Sequence, residues 1–130
     1  MKYLLDTSIF LWGLWSLDKM NERAQEILTS GNKELYLSAA SAWEITIKSA
    51  SGRLDLPEPP SRYVPNRMSL LGLQSLPITQ AHALDVSELP MHHNDPFDRI
   101  LFAQARTDGM AFMTHDARIA AFGGETVLKI

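Results

Sequence analysis

Apolar residues come along this chain in short bursts whose spacing alternates between the period of a strand and that of a helix. Tyr3-Leu4-Leu5 is a compact apolar run that stops at Asp6-Thr7-Ser8. That pattern reads as a buried strand delivering a polar turn and then a helix start. The helix predicted from Ser8 to about Trp15 is apolar on nearly every face, so it must be buried in the core or against another chain. Asn21 caps a second predicted helix through Leu28, closed at Gly31, with Ala24, Ile27 and Leu28 as its inward stripe. Leu35-Tyr36-Leu37 is the next strand, and Ser38 or Ser41 caps a helix running toward Ala50 and Gly52 that carries Glu44.

Pro57, Pro59, Pro60 and Pro65 interrupt the pattern, so residues 53–65 read as an irregular connection rather than a domain boundary. Beyond it the sequence predicts a short helix after Pro65 and a strand from Leu73 to Leu76. A helix from Thr79 to about Glu88 follows, with Ala81 and Leu84 on its apolar side. Asp95 caps a helix whose buried face is Phe97, Ile100, Leu101 and Ala105; Pro96 suits its first position, and Asp98 faces the positive end of its dipole. Ala111-Phe112-Met113 forms another strand, and Thr126 to Ile130 a closing edge strand. Strands separated by helices in this rhythm predict a single α/β domain over residues 1–130. Its central sheet is mostly parallel, twisted, of four to five strands, with helices on both faces. In such sheets, sites form at the carboxyl ends of the strands.

Composition narrows the chemistry. With 130 residues the chain buries a real core without staples, and with no cysteine it has neither thiol catalysis nor Cys-based zinc sites, which fits a cytoplasmic protein. The apolar run from Ile9 to Trp15 follows a single lysine and has no cleavage site after it, so it does not read as a signal peptide, and it is too short to span a bilayer. A net charge of −3 gives no general footprint for nucleic acid, so any such partner must be held by local charge or metal.

Four acids then become informative together. Asp6 follows the first strand, Asp116 lies just past the Ala111 strand, and Glu44 and Asp98 sit near the starts of helices that lean over the same sheet edge. Singly, each also reads as a turn, cap or solvent-facing residue. Gathered, they would repel by roughly 1 to 4 kcal/mol per pair at about 4 Å. A hard divalent cation such as Mg²⁺ or Mn²⁺, held by carboxylate oxygens, turns that repulsion into binding and supports phosphodiester chemistry.

The sequence resembles the PIN domain ribonucleases, and among them the toxins of VapBC-type toxin-antitoxin modules. The resemblance rests on Leu5-Asp6-Thr7-Ser8, on Ser41-Ala42-Trp43-Glu44-Ile45 with Lys48 and Gly52-Arg53-Leu54, on His92-His93-Asn94-Asp95-Pro96-Phe97-Asp98-Arg99, and on Thr114-His115-Asp116. It covers essentially the whole chain. It implies Mg²⁺-dependent endoribonuclease activity, dimerisation, and inhibition by a cognate VapB-like antitoxin. Asp6, Glu44, Asp98 and Asp116 would be the catalytic and metal-binding acids, with Asp6 and Asp98 the strongest ligand candidates.

Around them, Asp95 either assists or merely caps, and Thr7, Ser8 and Thr114 either donate to the carboxylates or serve as turn residues. Arg99 is read as pairing with a carboxylate or holding a phosphate; Lys48, Arg53 and Arg118 add positive charge, with plain surface charge the default for all four. His92 and His93 read better as solvated loop residues than as RNA contacts. Two rival readings stand beside the nuclease. One is an aspartyl-nucleophile phosphatase, which wants an acid where Ser8 stands; the other is a PIN-like RNA- or protein-binding module without catalysis.

Overall fold

The computed structural model describes residues 1–90, 94–121, 124 and 126–130. Five strands, β1 (Lys2–Leu5), β2 (Glu34–Ser38), β3 (Leu73–Leu76), β4 (Ala111–Thr114) and β5 (Val127–Lys129), form one sheet in the order β3-β2-β1-β4-β5. Every pairing is parallel, with Tyr3 opposite Leu35 on one side and Ala111 on the other. The helices are α1 (Thr7–Trp12), α2 (Glu22–Thr29), α3 (Ala39–Ala50), α4 (Pro60–Leu71), α5 (Gln80–Asp85), α6 (Pro96–Thr107) and α7 (Ala117–Ala120).

Strand alternation sends successive side chains into two cores. Tyr3, Leu5, Leu35, Leu37 and Met113 pack on one face against Ile9, Phe10, Ile27 and Val64. Leu4 and Phe112 pack on the other against Leu101, Phe102 and Ile119. The chain leaves β1 toward β2 and β3, then returns to build β4 and β5 on the opposite side. The connections after β1 and β4 therefore diverge, and in open α/β sheets such a switch point opens a crevice at the strands' carboxyl ends.

Three expectations are corrected. The first helix ends at Trp12, because Gly13 takes a positive φ of 50° and a tight 3-10 turn follows to Trp15, leaving Leu14 and Trp15 exposed. The stretch read as irregular up to Pro65 contains the start of α4: Pro60 occupies the first turn, where its missing N–H costs nothing, and Pro65 lies within the helix. Pro65 is exposed, and so is Ser61, whose carbonyl loses its intrahelical donor and is left to water, while Tyr63, Val64 and Leu71 are buried. In α5, Ala81 and Leu84 face solvent and the buried residue is His82. Among the described residues no helix is long and apolar enough to cross a membrane.

Candidate active site

At the switch point a cleft of about 330 Å³ opens, and Asp6, Glu44, Asp95, Asp98 and Asp116 all contribute to its wall. Asp6 follows β1 and caps α1, with one carboxylate oxygen accepting from the Thr7 N–H at 2.8 Å and the other from the Thr114 hydroxyl at 2.7 Å. Thr114 also accepts from the Asp116 N–H at 3.0 Å, so one hydroxyl fixes the end of β4 and orients two acids. Burial pushes the Asp6 carboxyl above its ordinary range; the Thr114 and Thr7 hydrogen bonds oppose this, Glu44 adds to it, and His115 opposes it.

Glu44 is brought in by α3, which Ser38 caps through the Ala40 N–H, and which the Thr7 hydroxyl ties to the start of α1 by donating to Ser41 at 2.9 Å. Only 5% exposed, Glu44 has one oxygen paired with the Lys48 ammonium at 2.6 Å and the other, Oε1, buried with no hydrogen-bond partner among the described residues. Asp98 stands half-buried in the first turn of α6. Asp95 caps that helix, accepting from the Phe97 N–H at 2.9 Å and the Asp98 N–H at 3.3 Å, and also lines the cleft. Asp116 caps α7 through the Arg118 N–H and pairs with the exposed Arg118 guanidinium, whose pKa that hydrogen bond and charge raise.

Ser8 lines the cleft but donates to no carboxylate among the described residues, while Thr7 reaches Asp6 through its backbone rather than its hydroxyl. Arg99 corrects the default of a plain surface charge. It is 8% exposed, and its guanidinium donates to the carbonyls of Pro90 at 2.6 Å and Val86 at 3.2 Å, away from the cleft wall. One helical step past Asp98 turns it by about a quarter of a circle, so it cannot share Asp98's outlook. The readings of His92 and His93 lie outside the described residues. His115, unremarked from sequence beyond its place in the motif, lines the cleft with its ring 4.5 Å from that of Trp12. Only the tertiary fold brings those two together.

The donor set fits a hard cation. Its five acids supply carboxylate oxygens, and Glu44 Oε1 is a buried one that no donor among the described residues satisfies. Among the described residues, however, no group of three or more His, Asp or Glu side chains is close enough to hold a metal as placed. The physical reason is visible in the contacts: Asp6 turns to Thr114, Glu44 to Lys48 and Asp116 to Arg118, each relieving its charge locally.

A parallel α/β sheet with an acidic cleft at its switch point defines the general class. Within it, the chain belongs to the PIN domain family, whose model matches residues 3–125. It is 43% identical over 65 residues to Ribonuclease VapC16 of Mycobacterium tuberculosis, a match spanning 50% of this chain and 45% of that protein. The match thus covers less than half of that relative. Similar solved folds include VapBC2 from Rickettsia felis bound to a promoter DNA fragment, with a TM-score of 0.69 at 12% identity over 99% of this chain and 98% of that one. FitAcB from Neisseria gonorrhoeae gives 0.65 at 20% identity over 98% and 96%.

Proposed function

We propose that this protein is a metal-dependent endoribonuclease that hydrolyses RNA phosphodiester bonds, the toxin of a VapBC-type module, working in the cytoplasm as a homodimer and restrained by a cognate VapB-like antitoxin. The observation that carries the catalytic part is the buried, unpartnered Glu44 Oε1 in the wall of a cleft shared with Asp6, Asp98 and Asp116. Membership of the PIN family, the ribonuclease name of the relative and the toxin-antitoxin complexes among the structural neighbours support the same reading. An apolar recess of about 260 Å³, lined in part by Trp43, Phe97 and Ile100, supports an association surface.

Asp6 and Asp98 are the residues to hold the ion, with Glu44 and Asp116 holding it or orienting water. When bound, Mg²⁺ or Mn²⁺ supplies a water of lowered pKa and stabilises charge on the phosphoryl oxygens. The protein's own part is positional. Thr114 holds the Asp6 carboxylate, Lys48 anchors one oxygen of Glu44, and Asp95 fixes the turn that presents Asp98.

The acids' separate protein partners favour one second reading, a PIN-like binding module without catalysis. The two part in a single assay: purified protein with mixed-sequence single-stranded RNA, with Mg²⁺ or Mn²⁺, with EDTA, and as Asp6→Ala and Asp98→Ala, folding followed by circular dichroism. Cleavage that needs metal and vanishes in both folded variants is the expected result. Cleavage that survives EDTA or either substitution defeats the nuclease assignment, and absence of both cleavage and calorimetric metal binding selects the inert module.

A further inference from the structure

We propose that Arg53 is a substrate-positioning residue, presented at the lip of the cleft to take a backbone phosphate of the RNA beside the one being cut. The inference rests on the nuclease reading above and names how its substrate is received. Helix α3 ends at Ala50, and Gly52 then adopts a φ of 77°, a left-handed turn that reverses the chain. The reversal is pinned twice, by the Arg53 N–H donating to the Lys48 carbonyl at 2.9 Å and the Leu54 N–H to the same carbonyl at 3.2 Å. Leu54, also on the cleft wall, packs against the core, and Arg53 Nε donates to the Ser51 hydroxyl at 2.9 Å. Arg53 is thus held on the cleft wall by its backbone, its neighbour and its own Nε.

Its chemistry is the second half of the argument. The cleft wall carries five carboxylates and the cations Lys48, Arg53 and Arg118. Lys48 is taken by Glu44 and Arg118 by Asp116, whereas Arg53 forms an ion pair with no described residue although it is exposed on the same wall. A planar guanidinium with terminal donors to spare matches a phosphate as a two-point acceptor. A chain of net charge −3 must receive a polyanion through local cations of this kind.

The test measures binding of a fluorescein-labelled, mixed-sequence single-stranded oligoribonucleotide by anisotropy over a range of salt in Mg²⁺. The Asp98→Asn background prevents cutting, and Arg53→Ala and Arg53→Lys are compared with it. Arg53→Ala is expected to weaken binding about tenfold, and to flatten the log–log salt slope by about 0.7, one single-strand phosphate contact. Arg53→Lys should restore the slope but only part of the affinity, and in the cutting-competent protein Arg53→Ala should raise KM more than it lowers kcat. Unchanged affinity and slope in folded Arg53→Ala overturns the proposal and leaves Arg53 free for a protein carboxylate; so does failure of the parent to bind RNA. Intact Arg53-dependent binding without any cutting would sink the nuclease reading alone.

Discussion

Two buried polar clusters flank this sheet, and they differ in how fully their atoms are satisfied. Around His82, the ring Nδ1 accepts from the Thr79 N–H at 3.0 Å, so the proton sits on Nε2 and points to Asp108 at 3.0 Å. Gln104, wholly buried, accepts from the Ser38 hydroxyl and donates to the Pro77 carbonyl, completing a closed network between α5, α6 and the end of β2. Around Glu44 the count does not close: Oε1 has no partner among the described residues, and Asp6 carries a carboxyl whose ionisation burial opposes. A satisfied network rigidifies a fold, whereas an unsatisfied one in a cleft is a cost a fold keeps for a ligand. Arg67 Nη1, also buried without a hydrogen-bond partner among the described residues, belongs to a guanidinium 3.6 Å from the Trp15 ring centroid and 4.8 Å from that of Tyr63, whose π-faces stand in for an acceptor.

If the contrast is right, the two clusters answer mutation in different currencies. The largest effect belongs to Asp98→Asn: losing a ligand worth several kcal/mol of charge stabilisation lowers cleavage on the order of 10³-fold with little change in melting temperature. A cleaving Asp98→Asn protein would remove the cleft's claim to chemistry. Next comes His82→Ala, which strands Asp108 and the Thr79 N–H and should cost about 2 to 4 kcal/mol in urea unfolding. Cleavage per folded molecule should stay at the parent level; a selective loss of cleavage there would place His82 in the site rather than in the scaffold.

Thr114→Val probes the boundary between the two kinds of cluster, because Thr114 is a buried structural hydroxyl that touches a site acid. Loss of its hold on Asp6 is expected to lower activity or metal affinity about 10- to 100-fold. A stability loss with metal affinity intact would make it a turn residue only.

The smallest effect is on stability and concerns Asp6. Its folded pKa lies above the unfolded value, so native Asp6 favours the proton. Stability from this group is full below the unfolded pKa near 3.8 and is lost as pH rises through the higher folded value. Asp6→Asn, in EDTA, should therefore be more stable than the parent at neutral pH and lose that advantage below about pH 4, as urea unfolding across pH would show. An advantage that does not depend on pH would contradict the burial argument, and one that disappears when Mg²⁺ is added would sharpen it.

Much of this was legible from local pattern. The apolar bursts located all five strands, Asn21, Ser38, Thr79 and Asp95 cap as their residue types favour, and the order of the motifs named the acids that share one cleft. What failed was where a single residue's surroundings overruled its type. Pro65 reads as a breaker, but α4 accommodates it because the carbonyl deprived of its donor belongs to exposed Ser61. Ala81 and Leu84 read as core, but the polar His82 holds the buried position because Thr79 and Asp108 satisfy both its nitrogens. Arg99 reads by default as a surface charge, but its place on α6 buries it and aims it at main-chain carbonyls.

The sequence by itself thus determined most of the elements, the mostly parallel character of the sheet and which acids lie near its carboxyl edge, because each depends on periodicity and on residue types a few positions apart. Only the tertiary structure decided which polar groups close into the His82 network, that Glu44 keeps an oxygen without a donor among the described residues, and that His115 meets Trp12 at the cleft. Those outcomes depend on contacts between residues far apart in the chain, where hydrogen-bond satisfaction and burial are set by packing and leave no local pattern to read.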